Sequence, residues 1–404
     1  MGTQIRLGVL GALLFTQATV AAPSPPSILS RVSLPSLGSL GERASELWRR
    51  GTRGTVGLET RAATNDSANL WVVDTLYEGQ SFFDGFDFYT DKDPTNGQVQ
   101  YVDRDTAFGE QLAYVTPNNK VVMKVNNTTW LNQGQNRKSV RIQSQKRYNG
   151  GLFILDLERS PHGCGTWPAF WTVGPNWPQG GEIDIFEGVH ENTKNQATFH
   201  TADGCTITDP QNFTGNLLAS DCSAFADSNA GCGLINDSAA SFGAPFNAVG
   251  GGVFASRWDS NGVWIWFFHR STIPNDIIMK TPRPELWGKP TALLSNSSCP
   301  PKRYFWDHQI VFDITFCGAG DWAGASFADP ANGCPGTCAD FVLNPNNFYN
   351  TSWSINYVHV FRNSKVSGSV HSAAQPHASP VTALYASLVP TLLLGLFLAW
   401  HIGG

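Results

Sequence analysis

Between Asn65 and Asn363 no stretch carries the three-and-four apolar spacing of a long helix, whereas several carry the strict alternation of a strand. Trp353, Ile355, Tyr357, His359 and Phe361 are interleaved with Ser354, Asn356, Val358 and Val360, a period of two. Gly262–Arg270 (GVWIWFFHR) is β-branched and aromatic throughout, and Asn261-Gly262 before it is a hairpin-turn signal. Val121–Val125 and Ser139–Gln143 read as strands too. With 40 glycines, 24 prolines and only 15% charged residues, the chain suits many short strands joined by tight turns, not a helical bundle. No internal repeat or second linker divides this region. An all-β sandwich is therefore expected over residues 65–363.

The two ends read differently. Arg6, the apolar run Leu7–Phe15 and the small residues Ala18, Ala21 and Ala22 form a signal-peptide pattern, with cleavage expected after Ala21. Residues 22–64 are rich in Ser, Pro, Gly and Arg and form a pro-segment or a solvated linker, depending on whether Arg49-Arg50 is a processing site. Val381–Trp400 is strongly apolar, with no Lys or Arg beyond it. Small residues upstream (Ser367, Gly368, Ser369, Ser372), a polar spacer over 364–380 and a removable tail over 381–404 give the pattern of a glycosylphosphatidylinositol attachment signal. A retained transmembrane helix is the rival, and the missing basic flank disfavours it. Export agrees with seven Asn-x-Ser/Thr sequons, at Asn65, Asn126, Asn127, Asn212, Asn236, Asn296 and Asn350. It also agrees with eight cysteines, an even set for which disulfides are the default and whose pairing stays open. A net charge of −5 without a basic stripe excludes nucleic acid as a partner.

The chemistry sits in Gly180-Gly181-Glu182-Ile183-Asp184-Ile185-Phe186-Glu187-Gly188. On a regular strand Glu182 and Asp184 share a face and Glu187 points to the other. A β-bulge between Asp184 and Glu187 would return all three acids to one side, with Ile183 and one of Ile185 or Phe186 packed beneath. The two glutamates are then four strand steps apart, about 13 Å between Cα atoms, and side chains leaning together would bring their carboxyls to about 5–5.5 Å. Such a pair can cleave a glycosidic bond with retention: Glu182 as nucleophile, Glu187 as acid and base, Asp184 tuning them. A structural calcium site or an acidic sheet edge is the competing reading of these acids.

GEIDIFEGV resembles the Glu-x-Asp-x-x-Glu catalytic signature of glycoside hydrolase family 16. Gly163-Cys164-Gly165-Thr166-Trp167-Pro168-Ala169-Phe170-Trp171, then Gly174-Pro175-Asn176-Trp177-Pro178, and His200-Thr201 with Asp203-Gly204-Cys205, are similar to its fungal laminarinase branch. The resemblance spans about Trp71 to Phe361. It implies a β-jelly-roll of two antiparallel sheets with a concave substrate cleft, and endo-hydrolysis of β-1,3 or mixed β-1,3/1,4 glucans with the roles given above. The five-residue form Glu-x-Asp-x-Glu marks lichenases and cell-wall transglycosylases of that family, and the inserted Phe186 argues against both. Trp167, Trp171 and Trp177 are the candidate subsite walls, since indoles stack on the C–H faces of sugars. His200 is a candidate contact near the scissile sugar. Trp264, Trp266 and Phe268 fit either the cleft or the sandwich interior. No cofactor or metal is expected, the chain should act as a monomer, and β-glucan is the partner. A wall-remodelling transglycosylase and a non-catalytic glucan lectin are the alternatives.

Overall fold

The computed structural model describes residues 69–318 and 322–365. The expected signal peptide, the 22–64 segment, Asn65, the anchor candidates Ser367, Gly368, Ser369 and Ser372 and the apolar tail lie outside the described residues.

The alternating segments become strands of two eight-stranded sheets. The outer sheet runs in the order Ala292–Ser295, Gly262–His269, Gly252–Asp259, Gly151–Arg159, Ser352–Lys365, Val121–Lys124, Ala113–Val115, and Asn69–Glu78 also pairs with Ser352–Lys365. The inner sheet runs Asn216–Leu217, Cys232–Ile235, Gln196–His200, Glu182–Glu187, Thr166–Val173, Gln309–Phe316, Ile142–Ser144, Phe86–Phe88. Their pairings are antiparallel, and the α-helices among the described residues have at most six residues. Facing side chains of the two sheets, including Phe153, Leu155 and Leu157 from one and Phe170, Ile183, Phe199 and Phe312 from the other, merge in one core. This is the jelly-roll sandwich the sequence led us to expect.

Gly151–Arg159 is buried on both sides. Leu152 and Ile154 point away from the main core into a smaller cluster with Trp71, Val253, Ala255, Ile277 and Phe361. Phe268 and Trp287 pack against that cluster, and Trp266 meets Trp287 edge-on at 5.4 Å. Trp264 lies under the Arg257 guanidinium, 4.5 Å away. The aromatic strand Gly262–His269 therefore belongs to the outer sheet and contributes nothing to the cleft.

Two local expectations need correction. The hairpin pairs Asp259 with Gly262, so its turn is Ser260-Asn261, one residue upstream of the Asn-Gly pair. The strand expected over Ser139–Gln143 is two strands, Arg137–Ser139 and Ile142–Ser144. The first pairs in parallel with Val99–Tyr101 and the second joins the inner sheet, so the chain changes sheets between them.

All eight cysteines pair: Cys164–Cys334, Cys205–Cys299, Cys222–Cys232 and Cys317–Cys338. Asn212 and Asn296 are exposed, and Asn126, Asn127 and Asn350 are half-buried. Asn236 is buried, its Nδ2 donating to Thr291 Oγ1 (3.2 Å) while its Oδ1 accepts from Ser238 N–H (2.9 Å). The Asn236 amide is thus hydrogen-bonded inside the fold, unlike the exposed Asn212 and Asn296.

Candidate active site

The acidic strand Glu182–Glu187 lies in the middle of the inner sheet, and its register carries the predicted irregularity. On one side Glu182 pairs with His200 and Asp184 with Thr198, and the next pair is Glu187 with Gln196. Three steps on this strand match two on its neighbour. On the other side Asp184 faces Trp171, Phe186 faces Phe170 and Glu187 faces Ala169, again with one residue extra. A single added residue reverses the alternation, so Glu182, Asp184 and Glu187 all line one cleft. Both Ile185 and Phe186 are buried on the opposite side, where only one of them was expected. Phe186 stacks on Phe242 and meets Phe254 edge-on, each at 5.0 Å.

A bulge leaves backbone groups without ladder partners, and here Asn195 supplies both. Its Nδ2 donates to Ile185 O (3.0 Å) and its Oδ1 accepts from Glu187 N–H (3.0 Å), in a side chain only 2% exposed. The glycines before the strand are also fixed by space. Gly181 has φ +78°, and a Cβ there would stand 2.2 Å from Tyr304 O. Replacing Asn195 by alanine strands a buried carbonyl, at a cost of about 1–3 kcal/mol, and leaves a partly buried N–H without its acceptor. Chemical denaturation should therefore show a clear loss of stability for Asn195→Ala. An unchanged midpoint would mean that the bulge holds itself.

The cleft has a volume of about 890 Å³. Each of the three candidate tryptophans lines it and donates its indole N–H to an acid of the site. Trp167 donates to Glu187 Oε1 (2.8 Å), Trp171 to Asp313 Oδ2 (3.1 Å) and Trp177 to Glu182 Oε2. Trp177 is 44% exposed and stands at the rim. His200 reaches the cleft as well, with Nδ1 3.0 Å from Asn229 Oδ1 and Nε2 3.5 Å from Asp184 Oδ2.

Electrostatics separates the acids. Burial pushes the Glu187 carboxyl up to about 8; the Trp167 hydrogen bond opposes this, and the charges of Glu182 and Asp313 add to it. Asp184 is held well above the usual carboxylate range, first by burial and then by the charges of Glu182 and Glu187. Asp313 is raised to about 7 by burial, against the pull of Arg141. A cleft with several acids, some kept protonated at neutral pH, is equipped for proton transfer beside a carboxylate nucleophile.

Sequence reasoning did not find four residues here. Asp313 is the one acid in the apolar strand QIVFDITF, a signal legible in retrospect. Arg141 lies 5% exposed with its guanidinium 4.4 Å from the Tyr89 ring and 5.1 Å from that of Trp171. It falls at the point where the expected strand splits. Asn195 and Asn229 sit in the connections between strands, where asparagine is too common to stand out.

A family model described as the XgeA-like catalytic GH16 domain matches residues 86–361. A probable glycosidase of Schizosaccharomyces pombe is 47% identical over 290 residues, 71% of this chain and 68% of that protein. An endo-1,3(4)-beta-glucanase of Arthroderma benhamiae is 38% identical over 304 residues, 72% of this chain and 65% of its own length. A probable endo-1,3(4)-beta-glucanase of Aspergillus flavus is 36% identical, and the match spans 51% of its length. Among solved structures, Laminarinase 16A from Phanerochaete chrysosporium, with beta-glucans in donor and acceptor sites, shares 37% identity. It superposes with a TM-score of 0.70 over 72% of this chain and 100% of that one. An elongating beta-1,3-glucosyltransferase of the same family superposes at 0.68 with 39% identity, over 72% of this chain and 100% of its own. A bulged Glu-x-Asp-x-x-Glu strand in a tryptophan-lined cleft, on a sandwich matched along nearly its whole length, places the chain in glycoside hydrolase family 16, with an XgeA-like catalytic domain.

Proposed function

We propose that this protein is a retaining endo-hydrolase of β-1,3 and mixed β-1,3/1,4 glucans, working through a covalent glycosyl-enzyme intermediate. The observation that carries it is the bulge that puts Glu187 on the same side as Glu182, in a cleft walled by Trp167, Trp171 and Trp177. Glu182 attacks the anomeric carbon as the bond to the leaving sugar breaks, and the leaving oxygen takes the Glu187 proton. Water then bonds to that carbon while giving its proton back to Glu187, and Glu182 departs as a carboxylate. Asp184, whose carboxyl is held above the usual carboxylate range by burial and then by the charges of Glu182 and Glu187, hydrogen-bonds Glu182 and steadies the nucleophile between the steps.

The second reading is transfer, in which a sugar hydroxyl replaces water in the second step. The structural relative described as an elongating beta-1,3-glucosyltransferase favours keeping it in view. Our reading also has the protein work as a monomer outside the cell, held at the surface by a glycolipid; the terminal sequence patterns support the export and the anchor. Laminarin, lichenan and barley glucan should each yield short oligosaccharides, sized over time. An end-labelled laminari-oligosaccharide that grows instead of shrinking would overturn hydrolysis in favour of transfer.

A further inference from the structure

Beside Glu182, the cleft brings His200 against two of the acids, a juxtaposition to which the hydrolytic steps assign no role for the imidazole. Glu182, Asp184 and His200 each offer one ligand atom, and these atoms lie within 4.8 Å of one another. Asp184 Oδ2 is buried, in a residue 3% exposed, and has no hydrogen-bond partner. It faces His200 Nε2 at 3.5 Å. Two ligands on a tetrahedral zinc, each about 2.0–2.1 Å from the ion, stand roughly 3.4 Å apart.

The imidazole is oriented as a metal ligand would be. Its Nδ1 lies 3.0 Å from Asn229 Oδ1, an acceptor, so Nδ1 carries the proton and Nε2 turns a lone pair toward Asp184. Asn229 is fixed in turn: Asp227, Ser228 and Asn229 form a run of left-handed residues inside the loop closed by Cys222–Cys232. Gly231 backs the ring, since a Cβ there would stand 2.7 Å from it. On the other flank Trp177 donates to Glu182 Oε2, leaving the second oxygen of that carboxylate free of the indole. All three residues line the cleft, which gives an entry path.

We propose that Glu182, Asp184 and His200 form a site for a borderline-soft divalent cation of the Zn²⁺ type, occupied in competition with the sugar. One imidazole and two carboxylates match zinc. Calcium wants six to eight oxygens and magnesium an octahedron of them, which this set does not provide. A cation there holds the nucleophile, so it switches the enzyme off.

The test is calorimetric titration of the chelator-treated full chain with zinc chloride, with magnesium chloride as control and without glucan. One Zn²⁺ per chain should bind at this site, and Mg²⁺ should not. His200→Gln and Asp184→Asn should each weaken that event at least tenfold. Asn229→Gly keeps a left-handed backbone and removes only the bond to His200, so it should weaken zinc by about ten- to a hundredfold. A laminari-oligosaccharide filling the cleft should raise the apparent Kd for Zn²⁺, and zinc should raise the apparent KM. Parental zinc affinity in the His200 variant and in the Asn229 variant, both confirmed folded by thermal melting, would overturn the site. Inactivity toward glucan with the zinc event intact would sink only the hydrolase reading, because the titration is read without substrate.

Discussion

Glu187→Ala will lose activity on laminarin by a factor on the order of 10²–10⁴ yet keep much of it on an aryl β-glucoside with a good leaving group. The polysaccharide's leaving oxygen is a poor one and needs the proton that Glu187 carries. A dinitrophenolate needs none, so its departure survives. Folding should not confuse the result, because the partner left behind, the Trp167 indole N–H, is half-buried at the cleft wall where water can replace the carboxylate. The same assignment fixes the pH profile. With its carboxyl at about 8, Glu187 carries the proton below that pH and loses it above. Parental kcat/KM on laminarin should therefore fall as pH rises through about 8, and the alanine variant on the activated substrate should lack that limb. Equal losses on both substrates, or a parental profile flat past pH 9, would remove Glu187 from the acid role.

What the sequence disclosed follows from what local spacing can encode. Alternation survives in the primary structure, so the strands around Trp353 and Trp264 were visible before any coordinates. So was the phase error at the acids: three carboxylates at steps of two and three cannot share a face of a regular strand. The extra residue itself was legible; what holds it was not. Asn195 lies in the connection eight residues beyond Glu187 and meets the bulge only because the next strand folds back alongside. Asp313 joins Trp171 across 142 positions, and the contact depends on sheet order, which no local pattern records. The disulfide pairing escaped for the same reason, with one bridge closing a separation of 170 residues. The misplaced hairpin is a different kind of miss. Asn-Gly is a strong turn signal, but register across Gly252–Asp259 and Gly262–His269 fixed the turn one residue earlier, and burial of the aromatic face outweighs a local turn preference.

Removing the other glutamate will give the larger loss and a change in stereochemistry. Glu182→Ala should lower kcat on laminarin by a factor on the order of 10⁶, the scale seen when a covalent nucleophile is deleted. The variant keeps the cleft walls, and Glu187 stays beside its tryptophan. The missing carboxylate leaves a space bordered by the Trp177 indole N–H, which now points at nothing and suits a small anion. Burial still raises the Asp184 carboxyl, but it loses the charge and hydrogen bond of Glu182 that add to this, so it will titrate lower than in the parent. Azide entering that space attacks the anomeric carbon of an activated β-glucoside from the side Glu182 used. The product is then the α-glucosyl azide, one displacement with inversion. The parent performs two displacements, and proton NMR of its first-formed product should show the β-anomer. The switch from β to α on a single substitution is what a covalent role for Glu182 requires. An α-anomer from the parent would instead make Glu182 a base that activates water. Near-parental activity in Glu182→Ala would take it out of the chemistry altogether.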